Sequence, residues 1–136
     1  MSVARSWTVT QSREGSRTAE FTARTGPSAT VITASGEVDA ANANQLTEFV
    51  ERHIRPHKRV ILDLGGLEFI ATAGFSALHR INVACSGAGA CWDLVPSPGV
   101  HRLLRICDPD GTLPTTTTLT ELVTGPGTQH RKAYSN

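Results

Sequence analysis

The chain predicts an α/β fold, a mixed β-sheet with helices packed on it, in the order β-β-α-β-α-β-α-β-α. Three observations carry this. The run KRVILDL, Lys58–Leu64, is apolar with few polar interruptions, the mark of a strand buried on both faces. The stretches on either side, Ala43–Ile54 and Phe75–Cys85, place apolar residues three and four apart. Turn residues punctuate the changes of pattern: GPS at 26–28, Pro56, SGAGA at 86–90 and DPDG at 108–111.

Residues 1–17 are polar and unpatterned and are expected to be a flexible N-terminal segment. AEFTAR (19–24) alternates, with Phe21 and Ala23 on one face, and ATVITASG (29–36) is rich in β-branched residues; together they read as an antiparallel hairpin. In GEVDAANANQLTEFVERHI, Asp39 can cap a helix whose apolar face is Ala43, Leu46, Phe49, Val50 and Ile54, and Pro56 stops it. Glu37 reads as a solvated loop charge. GGLEF (65–69) reads as a loop. The second helix carries Phe75, Leu78, Ile81, Asn82 and Cys85, with Ala77 and Ala84 allowing close packing.

CWDLVP (91–96) is a short strand. Ser97 is an N-cap with Pro98 at the first helical position, and Val100, Leu103, Leu104 and Cys107 form the stripe of a third helix. LPTTTT (113–118) is expected as an edge strand, LTELV (119–123) as a short terminal helix, and residues 124–136 as a flexible tail.

The 136 residues suit one folded domain, placed at 18–123. A net charge of +1 with scattered Lys and Arg argues against nucleic acid as a partner, because phosphate binding needs a concentrated basic face. No apolar run is long enough to cross a membrane. The N-terminus lacks an apolar signal core, and the odd set Cys85, Cys91 and Cys107 reads as reduced thiols, so a cytoplasmic protein is expected. Cys85 and Cys107 continue apolar stripes and are expected to be mostly buried; Cys91, after a glycine-rich turn, is expected to be more exposed.

No metal site and no cofactor are expected. The five histidines are dispersed, and Pro56 separates His53 from His57. Nor is an enzyme expected. Thr72 and His79 share a helix face but lie two turns apart, about 10 Å, beyond hydrogen-bond reach. SGAGA is followed by no Lys-Ser/Thr and is a helix end rather than a phosphate loop.

Three segments, in order and at matching spacing, resemble the STAS domain of bacterial anti-sigma-factor antagonists: ASGEVDAANANQL, RVILDLGGLEFIATAGFSAL and DLVPSPGVHRLLRICDPDG. The resemblance implies a regulatory protein that binds an anti-sigma factor of the serine/threonine-kinase-like kind, releases a sigma factor for transcription, and ceases to bind when phosphorylated. In the family, a hydroxyl residue within Asp-Ser-Ser-Gly or Asp-Ser-Thr-Gly accepts the phosphate. Here Ala71-Thr72-Ala73-Gly74 stands in its place, which makes Thr72 the phosphoacceptor candidate. The resemblance further implies partner binding by Asp39, Ala71, Thr72, Ala73, Gly74 and Phe75. Two other roles fit the same fold: the cytosolic STAS subunit of a lipid-transporting ABC system, and an antagonist controlled by thiol redox through Cys85, Cys91 or Cys107. Read locally, Thr72 is also a good N-cap, so cap and switch both stand open.

Overall fold

The computed structural model describes residues 10–15 and 18–116. Five strands form one sheet in the order β1 (Thr10–Gly15), β2 (Ala19–Thr25), β3 (Ala29–Val38), β4 (Arg59–Ile70) and β5 (Cys91–Val95). The first three are antiparallel neighbours; β3–β4 and β4–β5 are parallel. Each parallel connection carries a helix, α1 (Ala43–Glu51) after β3 and α2 (Thr72–Ala88) after β4, and α3 (Pro98–Cys107) follows β5. The mixed α/β sheet expected from the sequence is therefore present.

The three helices share one core with one face of the sheet. Phe21, Ile32, Leu62, Leu64 and Leu94 meet Leu46, Phe49 and Val50 of α1, Leu78, Ile81 and Cys85 of α2, and Val100 and Leu104 of α3. Phe21 and Phe49 bring sheet and helix together with ring centroids 5.9 Å apart. On the other face Val31, Ile61 and Val95 form a second, smaller cluster. β4 is thus buried on both sides, as its unbroken apolar run requires. Beside that cluster Arg59 Nε donates to the buried Asp93 carboxylate at 2.9 Å.

Four local expectations are corrected. Residues 10–15, read as part of a polar unpatterned segment, pair as β1 along the edge of β2; an edge strand is defined by backbone pairing and needs no apolar alternation. The Gly65-Gly66 stretch is not a loop but the continuation of β4, paired with β3 as far as Ile70. α1 ends at Glu51, before Pro56, although Ile54 still packs on the core. LPTTTT supplies only a parallel bridge, Thr115 to Leu94, among the described residues; the terminal helix expected at 119–123 lies outside them.

Elsewhere local chemistry does what the sequence announces. Gly89 takes a left-handed φ of 70°, and the N–H groups of Gly89 and Ala90 reach back to the carbonyls of Ser86 and Cys85, closing α2. Ser97 Oγ accepts from Val100 N–H at 3.2 Å with Pro98 at the first position of α3.

Candidate functional site

The site lies where the parallel strands end. β3, β4 and β5 run the same way, so α1, α2 and α3 all begin at the same edge of the sheet. Their first turns point their N–H groups and partial positive charge there, with the N–H groups of Ala43, Gly74 and Val100 taken up by Asp39, Ala71 and Ser97. Val38 and Ile70 are register partners, and the Ala71 N–H donates to the Val38 carbonyl at 2.9 Å. That bond joins the segment that continues into Asp39 to the segment that continues into Thr72. Residues 33 apart in sequence become neighbours in two chain exits.

The Asp39 loop is held by a residue the sequence reading passed over. Asn42 is 1% exposed; its Oδ1 accepts from Asp39 N–H at 2.9 Å, and its Nδ2 donates to the Glu37 carbonyl at 2.9 Å and to Thr18 Oγ1 at 3.2 Å. A small amide in an otherwise apolar register, four residues before Leu46, was the available signal. The loop also depends on Gly36, whose φ of 97° and whose contact with the Thr18 carbonyl leave no room for a side chain. The Glu37 N–H donates to the same carbonyl at 2.9 Å.

Asp39 does not cap α1. Its Oδ1 accepts from Ala41 N–H at 2.9 Å inside a turn, and its backbone carbonyl accepts from Asn42 and Ala43. The helix starts only after Asn42, which makes no side-chain cap bond of its own. The Asp39 and Asn42 side chains accept from different N–H groups of the turn, Ala41 and Asp39, and neither reaches the first turn of α1.

Thr72 is not a cap either. Ala71 occupies the N-cap, with φ −87° and ψ 172°, and no side chain closes the end of α2. Thr72 is the first helical residue and is exposed, as is Ser76 one turn on. The first turn of α2 contains no acidic residue. Of the other residues expected to bind a partner, Gly74 is buried, while Ala73 and Phe75 are half-buried against the core. Gly74 is forced: a Cβ there would lie 2.6 Å from Ile70 Cδ1 and nearer still to Cγ1, with Val38 Cγ1 at 3.4 Å. The absent side chain lets α2 start directly against the ends of both parallel strands. The Phe75 ring stacks on His79 at 6.5 Å, at the edge of the same exposed face.

The thiols are spread. Cys85 is fully buried, Cys91 is exposed, and Cys107 is intermediate rather than mostly buried, because its turn of α3 ends at the helix terminus. Burial, and then the neighbouring Cys91, pushes the Cys85 thiol up to about 12. The described residues hold no group of three or more His, Cys, Asp or Glu able to bind a metal ion. No helix among them is long and apolar enough to cross a membrane. Two open grooves, of about 340 and 430 Å³, flank α3; they share His101 and Thr115 and include neither Thr72 nor Asp39.

Comparison with known proteins bears on the family and the fold. A family model described as the STAS domain matches residues 20–122. Osmosensory protein A of Mycobacterium tuberculosis is 43% identical over 81 residues, covering 59% of this chain and 51% of that protein. The chain thus spans about half the length of that curated relative. Among solved structures, an anti-sigma factor antagonist from Mycobacterium paratuberculosis superposes with a TM-score of 0.63 at 20% identity, over 86% of this chain and 92% of that one. The anti-sigma factor antagonist SpoIIAA in its unphosphorylated form superposes with a TM-score of 0.59 at 15% identity, over 90% and 97% of the two chains. At these identities the two structures speak to the fold.

Proposed function

The chain belongs to the STAS domain family, and we propose that it works in the cytoplasm as an anti-sigma-factor antagonist. It binds an anti-sigma factor of the serine/threonine-kinase-like kind through the edge formed by Asp39 and residues 71–75, and so releases a sigma factor for transcription. Phosphorylation of Thr72 ends that binding. The role is one of binding rather than catalysis.

One observation carries the reading: Thr72 stands exposed as the first residue of α2, at a helix end that no side chain closes. A phosphoryl group transferred from ATP to its Oγ1 would meet open N–H donors and the positive end of the helix dipole. It would also set a charge of about −1.5 to −2 on the surface that meets the partner. The helix tolerates the change and the complex does not. Ala71, where the family carries Asp, removes one negative charge from beside the acceptor.

The test uses the anti-sigma kinase recovered from native cytosol with the full chain as bait. Incubation of that kinase with the chain and ATP, followed by mass spectrometry, is expected to place one phosphate on Thr72 and none on a Thr72→Val variant. Thr72→Glu is expected to fold normally and to lose the kinase from the pull-down. Recovery of no anti-sigma factor, or equal recovery by Thr72→Glu, refutes the reading.

A further inference from the structure

β4 carries an irregularity beside this edge. Gly36 pairs with Leu67, but Glu37 pairs with Phe69, so Glu68 is an extra residue in the strand. Such a bulge resets the alternation of side chains and re-aims them. Leu67 and Ile70, three apart, both enter the core, and Phe69 between them turns outward, 51% exposed. In an unbroken strand residue 69 would share the inner face of Leu67. The fold thus uses an irregularity to place an aromatic ring in water three residues before Thr72.

The charged residues that flank the ring on β3 and β4 are acidic. Glu37, its cross-strand partner, and Glu68, its predecessor, are both exposed, and Asp39 follows two residues beyond Glu37. On the far side the patch is bounded by α3, where Gly99 faces both the Glu68 carbonyl and the Arg102 guanidinium, so that border carries a cation. Binding energy concentrates on side chains that become fully desolvated near the centre of a contact, and aromatic residues and arginine are enriched there.

We propose that Phe69 is the anchor of the partner contact and a determinant of its specificity, and that it receives an arginine or lysine of the anti-sigma factor. The aliphatic stem lies on the ring, and the cationic head sits between the Glu37 and Glu68 carboxylates. The proposal rests on the functional reading above and adds to it the chemistry of the partner.

Photo-cross-linking tests it in cells. Phe69, Val83 and Ile106, the exposed large apolar residues among those described, are replaced one at a time by p-benzoylphenylalanine in the full chain. Cross-links to one anti-sigma factor are expected from position 69 and not from position 106. Cross-links from 83 or 106 without any from 69, or none from any position, overturn the proposal. A captured protein at position 69 that is not an anti-sigma factor sinks the functional reading, while the docking face stands if binding of that protein still depends on Phe69. The cross-linked protein, once purified, then serves as the probe for titration. Phe69→Ala is expected to weaken binding about tenfold or more, and the double variant Glu37→Gln, Glu68→Gln to weaken it and flatten its salt dependence. Circular dichroism checks that each variant is folded. Binding unchanged in Phe69→Ala overturns the anchor, and an unchanged salt dependence in the double variant overturns the cationic partner residue.

Discussion

The Ala71 N–H donates to the Val38 carbonyl at 2.9 Å, tying the residue before one helix to the last residue of the neighbouring parallel strand. Everything proposed for this edge depends on that tie, because it sets the Asp39 turn beside the exposed Thr72. The residues that hold the two exits in place are accordingly the ones whose replacement should be felt.

Asn42 is the first. Asn42→Ala would leave the Glu37 carbonyl and the Asp39 N–H without the partners they have at 2.9 Å each. A loss of about 1–3 kcal/mol is expected in urea unfolding. Asn42→Asp keeps the acceptor but buries a charge and turns an oxygen toward the Glu37 carbonyl, and should lose at least as much at neutral pH. If Asn42→Ala is as stable as the parent, the loop is not held this way.

Gly74 is the second. At an exposed helix position Gly→Ala gains up to about 1 kcal/mol. Here the new methyl meets Ile70 Cδ1 at 2.6 Å and Val38 Cγ1 at 3.4 Å. Gly74→Ala should therefore lower stability by about 1–3 kcal/mol, and denaturant titration reads the sign directly. A gain would mean that α2 can draw back from the strand ends at no cost.

The open end of α2 makes a paired prediction. Thr72→Ala should change stability by no more than about 0.5 kcal/mol, since the exposed hydroxyl of a first helical residue closes nothing. Ala71→Asp should raise stability by about 0.5–2 kcal/mol, because Ala71 already has an extended N-cap backbone and lacks only the acceptor. Thermal unfolding of both variants checks this. A large loss in Thr72→Ala would restore the hydroxyl as a cap.

Alkaline pH provides the last. Burial, and then Cys91, raise the Cys85 thiol from an ordinary value near 9 to about 12. A group whose folded pKa is raised contributes stability that is complete below its unfolded value and disappears as pH climbs through the folded one. The free energy of unfolding should fall between pH 9 and about 12, and Cys85→Ala, less stable at neutral pH through its cavity, should show a flatter profile over that window. At pH 8 Cys91, being exposed, should react with a thiol reagent well before the buried Cys85. Equal labelling rates would contradict the burial.

Much of the architecture was legible in the order of residues. Lys58–Leu64 read as a strand buried on both faces and is the start of β4, and α2 and α3 announced themselves by apolar spacing, by Gly89 and by the Ser97-Pro98 start. Thr72 was legible as a residue at a helix start. β1 was not, because an edge strand of polar residues takes its identity from the backbone of β2.

Apart from β1 and the far half of β4, the sequence by itself determined which segments are strands and helices, because period and turn chemistry are properties of neighbours along the chain. The tertiary structure alone decided which groups meet. It made Ala71 rather than Thr72 the cap, spent the Asp39 carboxylate on a turn, buried Asn42 as the clamp of the loop, and turned Phe69 outward through an extra residue in β4. The outward turn of Phe69 depends on register between β3 and β4, which hydrogen bonds and packing fix between segments some thirty residues apart, and the Asn42 clamp depends on the approach of Thr18.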